Sequence, residues 1–367
     1  IVGSTVCVSG DGRFYNPTAI QVIIKMAAAY GVKSVWCGTD GLLSTPAMSA
    51  VIRCHGAGFV PIGGFILSAS HNPGGIDEDF GIKFNCSNGG PAPEKVMDLI
   101  YEKSTTITSY KMCKGLPDVD LTKAAVYELA PGFSVEVFSC VEDHLALLQK
   151  VFDFDAIKAL FARKDFRVVY DSMNGVQAEL RTKPTITKPQ PEPTPWPQPL
   201  ALSLALRLAL GLAPPPSSLA SQGPYAKAVF VEAFGAPPES LINAVPLEDF
   251  GGHASPSHGH ADPNLTHAVE LVAAMGLNKE GRVVPTPDGK PPPAFGAAAD
   301  GDADRNMIMG ANFFCSPSDS LAVIVANAAC IPFYKAGLKA CARSMPTSCA
   351  LDLVAKKLGI PCFEVPP

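Results

Sequence analysis

Between residues 4 and 70, apolar runs of strand length alternate at short intervals with longer amphipathic runs, and this rhythm restricts the fold more than any other feature. STVCVSGDGRF, residues 4–14, is an apolar strand closing on a glycine-rich turn. PTAIQVIIKMAAAYG, residues 17–31, has a proline start, apolar residues at helical spacing and a glycine stop. SVWCG (34–38) reads as the next strand, TPAMSAVIRCHGAG (45–58) as the next helix and GFILSAS (64–70) as a third strand. Such a series predicts an α/β domain whose functional loops leave the C-terminal ends of strands. Ser70 lies at such an end.

The pattern resumes further along. DFRVVYDSMNGV (165–176) is an apolar strand closing on a turn, LINAVPLEDFGG (241–252) has strand character, THAVELVAAMG (266–276) is helical, and AFGAAADGDADRNMIMG (294–310) is two apolar runs around an acidic loop. A third unit starts at PSDSLAVIVANAACIPFYKAG (317–337), and its last strand has barely begun at Pro367. We therefore expect consecutive α/β sandwich-type domains with mixed sheets: domain I over 1–145 with the Ser70 loop, domain II over 163–314 with the acidic loop, and an incomplete domain III over 315–367.

Residues 177–222 interrupt the second unit. KPTITKPQPEPTPWPQP (183–199) carries prolines at every second position from Pro189 to Pro199, a spacing that removes backbone donors and favours extended chain. The leucine-alanine run that follows, Leu200 to Leu212, is too short for a membrane span and contains Arg207. A low-complexity block splitting a regular unit reads as an insertion from a faulty gene model. VVPTPDGKPPP (283–293) reads as a surface linker.

A net charge of −5 argues against a nucleic-acid or membrane-surface binder, because that role needs a concentrated cationic field. Eleven cysteines with no C-x-x-C pair read as reduced thiols rather than a disulfide framework or zinc ribbon, with Cys7 and Cys37 as small core residues.

Two stretches carry chemistry. In Asp300-Gly-Asp-Ala-Asp-Arg305, three carboxylates at alternate positions can close on one hard cation, since Gly301 and Ala303 leave the backbone room to curl. An EF-hand is excluded by Arg305 at the sixth position and Ala311 at the twelfth. A solvated acidic turn stands as the equal alternative. In FILSASHNPGGIDEDFGIKF (65–84), Ser70 precedes His71 and an Asn-Pro-Gly-Gly turn that would expose its hydroxyl, and Lys83 stands ready to neutralise phosphate or trade a proton. No G-x-S-x-G elbow surrounds Ser70, which excludes a serine hydrolase of that type. The residues alone leave Ser70 either a nucleophile or a turn residue. His253, His258, His260 and His267 with Asp262 read as solvated loop side chains, because a Ser/Gly-rich loop cannot preorganise a zinc site.

SASHNPGG, DFGIKFNCSNGGPAPE, VPLEDFGGH, DPNLTHAVELV, DGDADRNMIMG, PSDSLAVI and ARSMPTSCALD occur in one order, and together they resemble the phosphoglucomutase family of the α-D-phosphohexomutase superfamily. NGGPAPE and VPLEDFGGH are more similar to its eukaryotic glucose-phosphate type than to the phosphomannose or phosphoacetylglucosamine branches. The resemblance implies an isomerase that interconverts glucose 1-phosphate and glucose 6-phosphate through a phosphoserine at Ser70 and glucose 1,6-bisphosphate. It implies Mg²⁺ held by Asp300, Asp302, Asp304 and an oxygen on Ser70, phosphate contact by Arg305, and active-site placement of His71 and Lys83. Arg13 in DGRFYN matches a family motif near the cleft, either as a phosphate contact or as a structural turn residue. A monomeric, cytoplasmic enzyme acting on a sugar phosphate is expected, a plastid form standing as the alternative, with no nucleic-acid or membrane partner.

The family's usual loop reads D-G-D-G-D, so Ala303 is a departure, tolerated unless that position needs positive φ. The family's N-terminal Ser-Gly-Leu-Arg stretch, its sugar-recognition loop and its C-terminal phosphate-binding domain have no counterpart here. That leads us to expect truncation at both ends and impaired turnover, with a non-catalytic phosphoprotein or regulatory fragment, or a phosphomannose or phosphoacetylglucosamine mutase, as the rival readings.

Overall fold

In the computed structural model, residues 1–56, 58–176, 225–253 and 255–366 are described; the 177–222 block and Pro367 lie outside them. The alternation read from residues 4–70 is present. β1 (Thr5–Gly10), α1 (Asn16–Ala29), β2 (Ser34–Gly38), α2 (Thr45–Cys54) and β3 (Gly63–Leu67) follow one another. α1 starts with Pro17 in its first turn, where the missing N–H is no loss. It buries Ala19, Ile20, Ile24 and Ala27, one helical stripe. Gly31, at φ 78°, ends it in the left-handed conformation that side chains avoid. Ser44 caps α2, its side chain accepting from the Ala47 amide at 3.2 Å.

β4 (Ile82–Cys86), α3 (Glu94–Thr106) and the hairpin of β5 (Ala125–Ala130) with β6 (Phe133–Phe138) complete the first sheet. Its order is β4-β3-β1-β2-β6-β5, with the four central strands parallel and both edge strands antiparallel. Period-two alternation along β1 sends Val6 and Val8 to the α1 face and Cys7 to the α2 face, so the parallel centre is buried on both sides. Burying Ile20 or Ile24 fully is worth roughly 1.5–3 kcal/mol each.

α4 (Glu142–Val151) and α5 (Phe154–Phe161) lead to β7 (Val168–Asp171), β8 (Leu241–Ile242), α6 (Val269–Ala274), β9 (Phe295–Ala299), β10 (Asn306–Gly310) and β11 (Phe313–Cys315). The second sheet runs β11-β10-β9-β7-β8, parallel at β9-β7-β8 and antiparallel at β11-β10-β9. Both sheets are mixed, as expected. The strand expected over residues 241–252 is only two residues long, because Phe250 is buried in loop packing rather than on a sheet. α7 (Pro317–Ala326), β12 (Cys341–Ser344), α8 (Ala350–Leu358) and β13 (Cys362–Val365) follow, with β12 and β13 a parallel pair. Among the described residues no helix is long and apolar enough to cross a membrane.

Contacts between the two larger sheets set the site. The Thr45 amide donates to the Asp302 carbonyl at 2.8 Å, and the Phe14 amide to the Glu248 carbonyl at 3.1 Å. Tyr225, fully buried, donates its hydroxyl to the Cys140 carbonyl at 2.7 Å. On the outer side of the first sheet, His55 joins α2 to the Asp143 carboxylate at 2.7 Å and to Glu136 at 3.4 Å. The Asp143 hydrogen bond raises the His55 pKa, against the opposing effect of burial. A histidine raised in the folded state stabilises fully below its unfolded value, near 6.5, and loses that contribution as pH rises through the folded value. Urea unfolding of the wild type should therefore weaken over this range above about pH 6.5, and His55→Gln should flatten that part of the profile; an unchanged slope refutes the assignment.

Candidate active site

Ser70 follows the C-terminal end of β3 and Asp300 that of β9, so each leaves a parallel strand at the end where α/β folds place function. Ser70 has φ 57°, a left-handed conformation rare for a side-chain-bearing residue. Its amide donates to the Ser68 hydroxyl at 2.8 Å, and its carbonyl accepts from Arg13 Nη2 at 3.1 Å. Held on both sides, the backbone aims the hydroxyl across to the acidic loop. Strain at such a position persists only where the surroundings over-determine it.

The hydroxyl Oγ donates to Asp300 Oδ2 at 2.7 Å and lies 3.3 Å from Asp302 Oδ1. Arg305 Nη2 donates to the same Oγ at 2.5 Å, while its Nε reaches Asp300 Oδ2 at 3.1 Å. Arg305 Nη2 also meets His71 Nδ1. Lys83, on the edge strand β4, places Nζ 2.5 Å from Asp302 Oδ2 and 3.3 Å from Asp304 Oδ2. Ser70, His71, Lys83, Arg305 and the three aspartates, read as separate motifs, thus form one cluster.

Asp300 and Asp302 are fully buried and Asp304 is not. Burial first, then the Asp302 charge, pushes Asp300 up to about 6. At Asp302 burial acts upward too, but the charge and hydrogen bond of Lys83 and the Thr45 hydroxyl at 2.9 Å hold it below the usual carboxylate range. Burial works to lower Lys83, yet Asp302 and Asp304 raise it, so it stands as an ammonium. That favours charge neutralisation over proton transfer as its part.

One oxygen from each of Asp300, Asp302 and Asp304 falls within 4.8 Å of the others. Three hard oxygen donors, two of them buried, beside a hydroxyl oxygen suit a hard metal cation. The histidines lie elsewhere: His253 reaches Glu78 at 3.4 Å with an 83% exposed side chain, and the His260 and His267 rings stack 4.6 Å apart.

Arg13 is 1% exposed, so it sits beneath the site rather than in it. It forks onto Asp11 through Nε at 3.0 Å and Nη2 at 2.9 Å, donates from Nη1 to the Asp79 carbonyl at 2.6 Å, and lies over the Phe250 ring at 5.2 Å. This geometry favours the structural-turn reading over phosphate contact. Thr45, Asp11 and Phe250 escaped the sequence reading. Asp11, two residues before Arg13, was the one with a visible signal.

Gly301 packs so tightly that a Cβ there would stand 2.7 Å from the Ser70 carbonyl oxygen and 3.0 Å from the Phe250 ring. Ala303 has φ 60°, the condition under which alanine at this point carries a cost. A left-handed alanine costs roughly 1–2 kcal/mol. Ala303→Gly should recover about 1 kcal/mol, offset in part by glycine's unfolded-state entropy. A raised urea midpoint with unchanged slope checks this, and a lowered midpoint refutes it.

Residues 2–111 match the family model described as phosphoglucomutase/phosphomannomutase, alpha/beta/alpha domain I. The chain is 49% identical over 373 residues to a probable cytoplasmic phosphoglucomutase 2 of Arabidopsis thaliana, covering 100% of this chain and 54% of that protein. It is likewise 49% identical over 372 residues to a cytoplasmic phosphoglucomutase of Solanum tuberosum, again 54% of that protein. Among solved structures, pp63/parafusin, a phosphoglucomutase from Paramecium in its open form, superposes with a TM-score of 0.76 at 41% identity, over 99% of this chain and 55% of that one. A putative phosphomannomutase of Thermus thermophilus, at 19% identity and TM-score 0.61, shares the fold. The chain spans about half the length of the curated relatives it matches.

Proposed function

We propose that the chain belongs to the phosphoglucomutase/phosphomannomutase family that its residues 2–111 match, and that Ser70 carries a phosphoryl group and exchanges it with a sugar phosphate, as in the interconversion of glucose 1-phosphate and glucose 6-phosphate through glucose 1,6-bisphosphate. The observation that carries this reading is the Ser70 hydroxyl, 2.7 and 3.3 Å from two buried carboxylates and 2.5 Å from a guanidinium. A serine meant only to close a turn needs no such surroundings.

In this reading Asp300, Asp302 and Asp304 would hold Mg²⁺ together with an oxygen on Ser70, and the ion would supply charge stabilisation to a phosphoryl group there. The left-handed backbone at Ser70 fixes the direction from which a sugar hydroxyl must approach. Arg305 spans Ser70 and Asp300, so it can hold a phosphoryl oxygen as charge moves from the serine oxygen to the sugar. Lys83, kept cationic, offsets the anionic charge that a phosphate brings. His71 stands against Arg305, where its ring borders the incoming group. Catalysis on this plan is positioning and electrostatics.

We place the chain in the cytoplasm as a monomer, with three successive α/β units over 1–145, 163–314 and 315–367. The test of function is incubation of the 367-residue chain with glucose 1,6-bisphosphate and Mg²⁺, followed by intact mass and peptide mapping. A gain of one phosphoryl group on Ser70, lost when a chelator is added, is expected. No gain, or a gain at another residue, removes the proposal. A coupled assay of glucose 1-phosphate conversion then reports how much of the full cycle this chain performs.

A further inference from the structure

We propose that Cys341 and Cys362 form a reversible disulfide, a redox modification site remote from the Ser70 cluster. The two residues stand directly opposite one another in the parallel register of β12 and β13. Neighbouring strands lie about 4.8 Å apart, inside the roughly 4.4–6.8 Å Cα separation that disulfides span. Residues opposed in register project from the same face of the pair, so both thiols start on one side.

The side chains bear this out. Cys341 Sγ lies 3.7 Å from the carbonyl of Pro361, the residue before Cys362. Both residues are half-buried, within reach of a small molecule. Cys362 Sγ sits 3.3 Å from Asp352 Oδ1. Asp352 is clamped in turn by Arg343 through Nε at 2.9 Å and Nη2 at 2.7 Å, and Arg343 reaches Glu364 at 2.7 Å. This 7% exposed guanidinium ties β12, α8 and β13 together, which preorganises the cysteine pair. Cys7, Cys37 and Cys140 also lie close together, but they are 0–4% exposed and closed to a small oxidant. Exposed Cys349 turns its sulfur toward Arg343, at 3.7 Å from Nη2.

The oxidant class is a low-molecular-weight disulfide such as glutathione disulfide. Cys362 Sγ donates to Asp352 Oδ1 and is held as a thiol, which leaves the first attack to Cys341. Its thiolate displaces one glutathione thiolate and forms a mixed disulfide. Cys362 then gives its proton to solvent, attacks the Cys341 sulfur and displaces the second glutathione. Two protein thiols are oxidised and one glutathione disulfide is reduced to two thiols. The product covalently closes the segment that carries RSMPTS, residues 343–348.

Cleavage after lysine and arginine puts Cys341, Cys349 and Cys362 on separate peptides, 340–343, 344–356 and 358–367. After incubation of the native chain with glutathione disulfide, mapping without reduction should find peptide 340–343 linked to 358–367, and reductant should release it. The linked form should melt about 4 °C higher in the transition that includes these residues. Cys341→Ser and Cys362→Ser should each abolish the link, and Cys349→Ser should leave it. Linkage through Cys349, glutathione adducts alone, or no oxidation of either cysteine overturns the proposal, and the wild-type map decides this even where a variant folds poorly.

Discussion

Ser70→Ala is expected to take up no phosphoryl group from glucose 1,6-bisphosphate, while keeping the fold of the parent. The side chain is only partly buried and its hydroxyl serves the acidic loop, so its removal takes away one oxygen and leaves the Ser70 carbonyl and amide bonds intact. Asp302→Asn separates positioning from nucleophilicity. It removes one charge from the triad and loosens the 2.5 Å contact with Lys83, but leaves the serine oxygen in place. Removing one such electrostatic group from a preorganised site costs about 10²–10³ in rate, so uptake should slow by that factor rather than vanish. Mass spectra taken over time, with and without Mg²⁺, check both. Uptake by Ser70→Ala at the parental rate would put the phosphoryl group on another residue.

The elements that were legible are those whose signal is local. α1 announces itself through Pro17, the Ala19–Ile20–Ile24–Ala27 stripe and Gly31, marks that lie within the helix or just past its cap. Ser70 and the DGDAD loop were legible as motifs, and so was the condition on Ala303, because a backbone angle follows from residue type and turn position. What local sequence does not encode is contact through space. Thr45 looks like the start of a helix, which it is, yet its hydroxyl also bonds Asp302.

Phe250 shows why the stretch 241–252 misled. Its apolar spacing resembles a strand, but Phe250 is wholly buried beneath Gly301 and beside Arg13, at the junction of two sheets. Apolar residues that fill a junction carry no period of their own. The same junction brings Ser70 to the triad, so the least legible packing is what assembles the most legible motifs.

Arg13→Met should cost about 3–5 kcal/mol of stability, because it leaves the Asp11 carboxylate buried and unpaired. Arg13 is 1% exposed and the Asp11 side chain is wholly buried, so water cannot replace the lost fork. Burial already raises the Asp11 pKa against the pull of Arg13. Without the guanidinium the carboxyl is driven toward its neutral form. The destabilisation should then shrink as pH falls below that raised value, because protonation relieves the unpaired charge. Urea unfolding of the variant at neutral and mildly acidic pH measures this directly. Asp11→Asn combined with Arg13→Met removes both charges and should recover much of the stability, since a buried pair lost as a unit costs far less than a pair broken on one side. Phosphoryl uptake by the double variant should stay slow, because the Ser70 and Asp79 carbonyls have still lost the donor that positions the serine loop. A loss below about 1 kcal/mol in the single variant, the size of an exposed pair, would show that Arg13 does not hold the loop. Recovery of both stability and uptake in the double variant would reduce Arg13 to charge balance alone.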